Sequence, residues 1–249
     1  MNLDALSEAL VSLPRGLLLT LLLTVAPLIA GFLISLPLAL IRASEARISA
    51  ALVFSYTYVF RGTPLLVQLF IVYYGLAQLP LIRHGMLWLV FREPFWCAVI
   101  AFTLNSAAHT TEILAGGFRA IPRGQTEAAQ ALGLSKLQTF FLIRFPLAFR
   151  IVLPAYTNEV IGMLKASSLG STVTLLEVTG LSRQLVAATF APYEVFVVAG
   201  LIYLAVTLMI TALARRLERH MTPASNDFRS STRATNRLLR LPALRTGSQ

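Results

Sequence analysis

LLLTLLLTVAPLIAGFLISLPLALI, residues 17–41, passes from Leu17 to Ile41 without a charged side chain, with Arg15 before it and Arg42 directly after it. A helix needs about 20 apolar residues to cross the roughly 30 Å hydrocarbon layer, and within that layer it satisfies its own backbone groups. The run meets that length, and Pro27 and Pro37 are expected to bend it rather than abolish it. Further blocks follow outward from it. Gly62 to Ile82 is uncharged and is preceded by the apolar Ile48 to Phe60, so a second span is set at about 54–82, with a start on either side of Arg61. A third, 95–115, continues past Glu112 to Ala115. A fourth, 151–176, is interrupted by Glu159 and Lys165 and offers Gly170 as a break. A fifth, 195–214, is closed abruptly by Arg215 and Arg216. The expected fold class is an all-α integral membrane protein with about five transmembrane helices.

Composition agrees with that reading. The chain is 56% hydrophobic and 13% charged, whereas a soluble domain carries about a quarter of its residues charged. The formal net charge of +10 would suit nucleic acid, but the Lys and Arg residues sit between and after the apolar blocks instead of forming a stripe interleaved with exposed aromatics. They serve better as an orientation signal, because cytoplasmic loops hold the excess of positive charge. With the N-terminus outside, the inner side receives Arg42, Arg47, Arg119, Arg123, Lys136, Arg144, Arg150 and the arginines from Arg215 onward. The outer loops keep Arg15, Arg83, Arg92 and Arg183. The expected topology is N-out and C-in, with residues 1–16 as an outer N-terminal segment. Asp4 and Glu8 precede the first apolar run, opposite to the basic start of a cleaved signal peptide, so that run is expected to stay. Residues 221–249 are polar and basic without an apolar period, and read as a disordered inner tail. Cys97, the single cysteine, lies in an apolar run and reads as packing. His84, His109 and His220 are dispersed, so no metal site and no cofactor are expected on this chain.

The stretch 117–150 between the third and fourth spans is too long for a plain connector. Pro122 and Gly124 punctuate its start, Thr126 suits a helix N-cap, and Glu127 falls in a first turn, where a carboxylate complements the positive helix end. Ala128, Ala129, Ala131 and Leu132 are strong helix formers, and Gly133 suits the left-handed residue that closes a helix. A short helix on the inner face is expected.

The string Glu127-Ala128-Ala129, followed by Gly133, Ile143 and Phe145-Pro146, resembles the EAA loop of ATP-binding-cassette importer permeases, with Phe145 where that loop usually has Leu. The segments Arg119 to Gln125 and Phe60-Arg61-Gly62-Thr63-Pro64 are similar to the polar amino acid branch of those permeases, which carries histidine, arginine, glutamine or opines. The resemblance covers roughly residues 15–220. It implies a type I (MetI-like) importer permease of the bacterial inner membrane, multi-pass, with residues 1–16 in the periplasm. In that family the short helix docks on the ATPase, which makes Glu127, Ala128, Ala129, Gly133, Ile143 and Pro146 the coupling residues. It further implies a homodimeric ATPase that binds ATP and magnesium, a second permease chain, homologous or identical, and a periplasmic substrate-binding protein. The phosphate-cradling string G-x-x-x-x-G-K-[ST] does not occur in this sequence, so a separate subunit is expected to hydrolyse the nucleotide and the chain is not read as an enzyme.

An ionisable side chain within a span costs several kcal/mol on most estimates unless paired or solvated. Glu159 and Lys165 lie six positions apart, a rotation of roughly 240°, so they do not form the usual helix-surface pair. Two readings of Glu159 stand side by side. In one, Glu159 with Asn158 faces a central cavity and attracts the cationic group of a substrate; in the other it forms a structural ion pair, for instance with Arg61. Ser168, among the hydroxyls of Ser167 to Thr172, is a candidate to line the path or to pack helices closely. Lys165 also suits the end of its span, its ammonium lifted to the interface. Two rival functions remain in view: a secondary transporter driven by an ion gradient, and a membrane assembly subunit with no conduction path.

Overall fold

The computed structural model describes residues 3–44 and 46–221, so the basic tail falls outside the described residues apart from Met221. Among the described residues there is no β-strand. Helix α1, Leu3–Ser12, joins α2, Leu17–Arg42, through a single 3-10 turn at Leu13–Gly16. The N-terminal segment is therefore ordered helix, anchored by Ala9 and Leu13 against Val178, Val195 and Val198. Helix α2 runs through Pro27 and Pro37 without interruption.

After α2 come α3, Arg47–Gly62, and α4, Leu65–Phe70, which continues through a π-helical turn at Ile71–Gly75 and a 3-10 turn to Gln78. Two short helices, α5 at Pro80–Arg83 and α6 at Trp88–Phe91, lead to α7, Pro94–Ala120. A surface helix α8, Arg123–Ala131, a single turn α9, Lys136–Gln138, and a π-helical turn at Thr139–Arg144 connect α7 to α10, Phe145–Ala166. A 3-10 segment, Ser167–Val173, then precedes α11, Val178–Thr189, and α12, Pro192–Met221.

The packing is inverted relative to a water-soluble bundle. Helix α2 exposes Leu18, Leu22, Val25, Ile29 and Leu33, spaced as one helical face, and buries Thr20, Thr24, Gly31, Ser35 and Ala39 against its neighbours. Lipid is as apolar as leucine, so helices in it associate through small residues that let backbones approach and through interhelical hydrogen bonds. Among the described residues three helical stretches, Leu3–Arg42, Lys136–Val173 and Pro192–Met221, are long and apolar enough to cross a membrane, or four if the bent pair Arg47–Gly62 with Leu65–Gln78 counts as one span.

Helix α7 is long enough as well, but it is the interior helix: α2, α3 and α10 all pack on it. Thr103, Asn105, Ser106, Thr110 and Thr111 are buried there rather than facing lipid, which explains a composition less apolar than its length would suggest. Cys97 is fully buried near its N-terminal end, within a cluster that includes Leu23, Leu69, Phe102 and Met163. Nearer its other end, Leu114, Ala115 and Phe118 meet Ala39, Ala148 and Val152.

Contact between α7 and α10 closes at Gly117, where an added Cβ would collide with the Val152 side chain and approach the Ala148 carbonyl oxygen at 3.2 Å. Valine is stiff at χ1, so it has little room to yield. Gly117→Ala is expected to lower stability by about 1–3 kcal/mol through overpacking. Gly116→Ala, whose Cβ meets nothing within 4 Å, is expected to be neutral or slightly stabilising. Thermal unfolding of the two purified variants in detergent checks the contrast: equal midpoints would mean that the helices separate freely at this point.

Candidate functional site

The second apolar block folds as two helices rather than one continuous span. Thr63 and Pro64 are both extended, and α3 and α4 meet at 100°. Proline disfavours helix at the residue before it, which places the break here. The break leaves the last carbonyls of α3 without intrahelical partners, and amid apolar neighbours such groups must be satisfied by protein. Gln68 does this. Its Nε2 lies 2.7 Å from the Phe60 carbonyl oxygen, 3.1 Å from that of Thr63 and 2.8 Å from Thr63 Oγ1, sharing two N–H groups among them. Asn105 Nδ2, from α7, donates to the same Phe60 oxygen and to Gln68 Oε1, each at 3.1 Å. Tyr56 adds a 2.6 Å hydrogen bond from its hydroxyl to the Leu104 carbonyl.

This corner carries Arg61 in the last turn of α3, exposed. Across from it, Glu159 on α10 has only 13% of its side chain exposed, and its Oε2 lies 4.0 Å from His109 Nδ1 on α7. Arg61 acts electrostatically on both His109 and Glu159. Among the described residues, Glu159 thus has the His109 imidazole at 4.0 Å, a pair only when that ring is protonated, and no direct contact with Arg61. Asn158 is exposed beside Glu159. Ser168 lies apart from this group: its hydroxyl donates to the Lys165 carbonyl at 2.7 Å, and with Lys165 it lines a separate cleft against Thr179 and Tyr203.

At the other end of α7, α8 starts at Arg123, directly after Pro122, and not at the Thr126 cap that the sequence suggested. Pro122 is extended, with φ −58° and ψ 134°, and its fixed φ sets the turn into the helix four residues early, without a side-chain cap, so that Glu127 lies beyond the first turn where the sequence placed it. Glu127 and Ala128 are exposed, while Ala129 is buried. Gly133 holds φ +79°. Its N–H reaches the Gln130 carbonyl at 2.9 Å and that of Leu134 reaches Ala129 at 3.1 Å, the paired closure that a left-handed glycine allows. Ser135 and Gln138 follow as a reciprocal capping box that opens α9.

Ile143 and Pro146 are both half-buried where this elbow enters α10. Phe145 joins an aromatic group with Phe140 at 6.0 Å and Phe149 at 6.1 Å between centroids, and Phe140 meets Phe118 of α7 at 5.8 Å. The elbow is therefore packed onto the helices on both sides of it. A cleft of about 360 Å³ lies between α8 and the end of α7, lined by Arg119, Arg123, Thr126, Glu127 and Arg144 among others.

Sequence reasoning missed Gln68, Asn105 and the partnership of His109. The available signal was an amide well inside each of two apolar runs, Gln68 in 62–82 and Asn105 in 95–111. A polar group that expensive in lipid needs a partner, and the nearest candidates were the carbonyls before Pro64.

Residues 31–223 match the family described as binding-protein-dependent transport system inner membrane component. The chain is 45% identical over 224 residues to the nopaline transport system permease protein of Agrobacterium fabrum, covering 90% of this chain and 93% of that one. It is 39% identical to the histidine/lysine/arginine/ornithine transport system permease protein of Salmonella typhimurium, over 82% of this chain and 87% of the relative. Its fold matches a solved amino acid ABC transporter crystallised with histidines, with a TM-score of 0.72 and 33% identity over 84% of this chain and 93% of that one. The MetNI methionine transporter, at 20% identity and a TM-score of 0.68 over 84% and 96% of the two chains, shares the fold.

Replacing Gln68 by Leu leaves the Thr63 carbonyl without its side-chain donor and weakens the hold on Phe60. The expected cost is about 1–3 kcal/mol, the penalty for a buried polar group left unpaired. Thermal unfolding in detergent should show a lower midpoint for Gln68→Leu and none of that loss for Asn158→Ala, whose side chain is exposed; an unchanged midpoint for the first would mean that the break does not need its amide.

Proposed function

The chain belongs to the family of binding-protein-dependent transport system inner membrane components, and on that premise we propose that it is the permease subunit of an ATP-binding-cassette importer for polar or basic amino acids or opines. The observation that carries the reading is the exposed face of α10. Ile151, Pro154, Ala155, Asn158, Gly162 and Lys165 lie on it at helical spacing, and Glu159 sits at its edge. A membrane helix does not turn an amide and an ammonium toward lipid at that density. A second permease chain, closing a polar cavity between the two subunits, is the partner that suits this face.

In this reading the bent pair α3–α4 is the second of five spans and α7 the third, the N-terminus lies in the periplasm and α8 in the cytoplasm. The distribution of Lys and Arg supports that orientation. Helix α8 docks on a homodimeric ATPase, with Glu127 and Ala128 outward, Ala129 and Gly133 shaping the elbow, and Ile143 and Pro146 anchoring it to α10. ATP with its magnesium is bound by that partner. A substrate loaded onto a periplasmic binding protein enters the cavity when the ATPases close, and Glu159, flanked by Asn158 and Arg61, meets its cationic group. His109 holds the carboxylate toward α7 when the cavity is empty. The Ser168 hydroxyl, beside Lys165, lines the route nearer the outer face.

Reconstitution with the ATPase and the binding protein in proteoliposomes tests the proposal. ATP-dependent uptake from a panel of labelled amino acids and opines is expected, with none from an ion gradient alone; gradient-driven uptake without ATP would turn the reading to a secondary transporter. Within that assay, Glu159→Gln should raise the KM for a cationic substrate at least about tenfold, the size of one charge-assisted hydrogen bond. Normal uptake by a well-folded Glu159→Gln would assign the carboxylate to a structural pair instead.

A further inference from the structure

Glu112, which the sequence shows only as an acidic residue late in the third apolar block, joins three helices at one carboxylate. On one side, Oε1 accepts a 2.8 Å hydrogen bond from Arg42 Nε, the last residue of α2, and another of 2.8 Å from Thr57 Oγ1 on α3. The Arg42 guanidinium also lies 4.8 Å from the centroid of the Phe54 ring on α3. On the other side, Oε2 faces Arg119 Nη2 at 3.7 Å. Arg119 lies in the last turn of α7 with 49% of its side chain exposed, and it opens into the cleft that it shares with Glu127 of α8.

The two oxygens divide the work. The Oε1 side is short, charge-assisted and partly buried, since the side chains of Glu112 and Arg42 are 17% and 21% exposed and Thr57 is buried; such bonds hold geometry firmly. The Oε2 side is longer than a hydrogen bond and involves a half-exposed arginine, which makes it weak and easily remade. A contact that is firm toward α2 and α3 and adjustable toward the α8 cleft has the form of a transmission joint. Helix α8 follows α7 after Ile121 and Pro122, so a displacement of α8 moves Glu127, changes what Arg119 faces, and shifts the charge balance on the carboxylate that clamps α2 to α3.

We propose that Glu112 is the positioning residue that carries movement of α8 to the inner end of α2 and to α3 at Phe54 and Thr57, with Arg119 as its adjustable link. The proposal rests on the reading of α8 as the helix that docks on the ATPase. It differs from a plain stabilising ion pair in one measurable way. Loss of a stabilising pair lowers uptake and ATP hydrolysis together, as the amount of folded complex falls, whereas loss of a joint lowers the number of substrate molecules moved per ATP hydrolysed.

The test uses the full complex in proteoliposomes, measuring uptake and phosphate release on the same preparation. Glu112→Gln is expected to reduce uptake per ATP at least about fivefold, the low end of typical coupling between sites. Arg119→Gln should reduce the ratio in the same direction, and Arg119→Lys, which keeps the charge, should retain most of it. A wild-type ratio in Glu112→Gln, with both rates lowered together or both unchanged, overturns the proposal. If Glu112→Gln does not assemble, Arg119→Gln decides, because its side chain is half-exposed: an unchanged ratio there overturns the proposal equally. A wild-type complex with no ATP-dependent uptake would instead defeat the importer reading, before any variant is compared.

Discussion

A backbone carbonyl freed from its helix amid apolar side chains needs a polar partner from the protein, and the structure is arranged around the place where this happens. Thr63 and Pro64 break the second apolar block, and the freed oxygens of Phe60 and Thr63 are taken up by Gln68 and Asn105. That repair fixes the 100° corner between α3 and α4, joins it to α7, and sets Arg61 within electrostatic reach of His109 and Glu159. Without the two amides the corner would be costly. With them it is a rigid edge on which a charged side chain can be presented.

The same solvent logic explains which residues lie inside. In water, burial of leucine drives helices together; in lipid, leucine is equally content on either side. Helix α2 therefore turns Leu18, Leu22 and Val25 outward and brings Thr20, Thr24 and Gly31 inward, and α7 at the centre is the richest in buried hydroxyls and amides. Close approach supplies dispersion contacts, and a hydroxyl at such a contact can bond within its own helix, as Thr24 does to the Thr20 carbonyl at 2.7 Å. Small residues are the means of packing here, and their positions follow the contacts with α7.

The surface elbow is held in another way. Its order comes from local devices: a proline that sets the start of α8, a left-handed glycine that closes it, and a capping box that opens α9. Those devices are joined to the membrane helices by Phe118, Phe140 and Phe145. The element therefore keeps its own shape and is tied to the membrane helices at both ends. Phe145, the departure from the usual Leu-Pro ending of the loop, widens that aromatic contact without changing its apolar character.

By itself the sequence determined the solvent, the class and the elbow. Uncharged runs of span length, the siting of Lys and Arg, and the spacing from Glu127 through Gly133 to Pro146 are local properties, readable because length, charge and turn chemistry act over a few residues. Glu159 stood out for the same reason, as a charge where charge is expensive. Only the tertiary structure decided what each polar group in a span is for. Gln68, Asn105, His109 and Glu112 look alike in a linear reading, as isolated interruptions of apolar runs, yet the first two mend a broken helix, the third faces Glu159 and the fourth clamps α2, α3 and α7. Their partners lie tens of residues away in the chain, at contacts set by the close packing of whole helices, and a polar group in lipid takes its role from the partner that satisfies it.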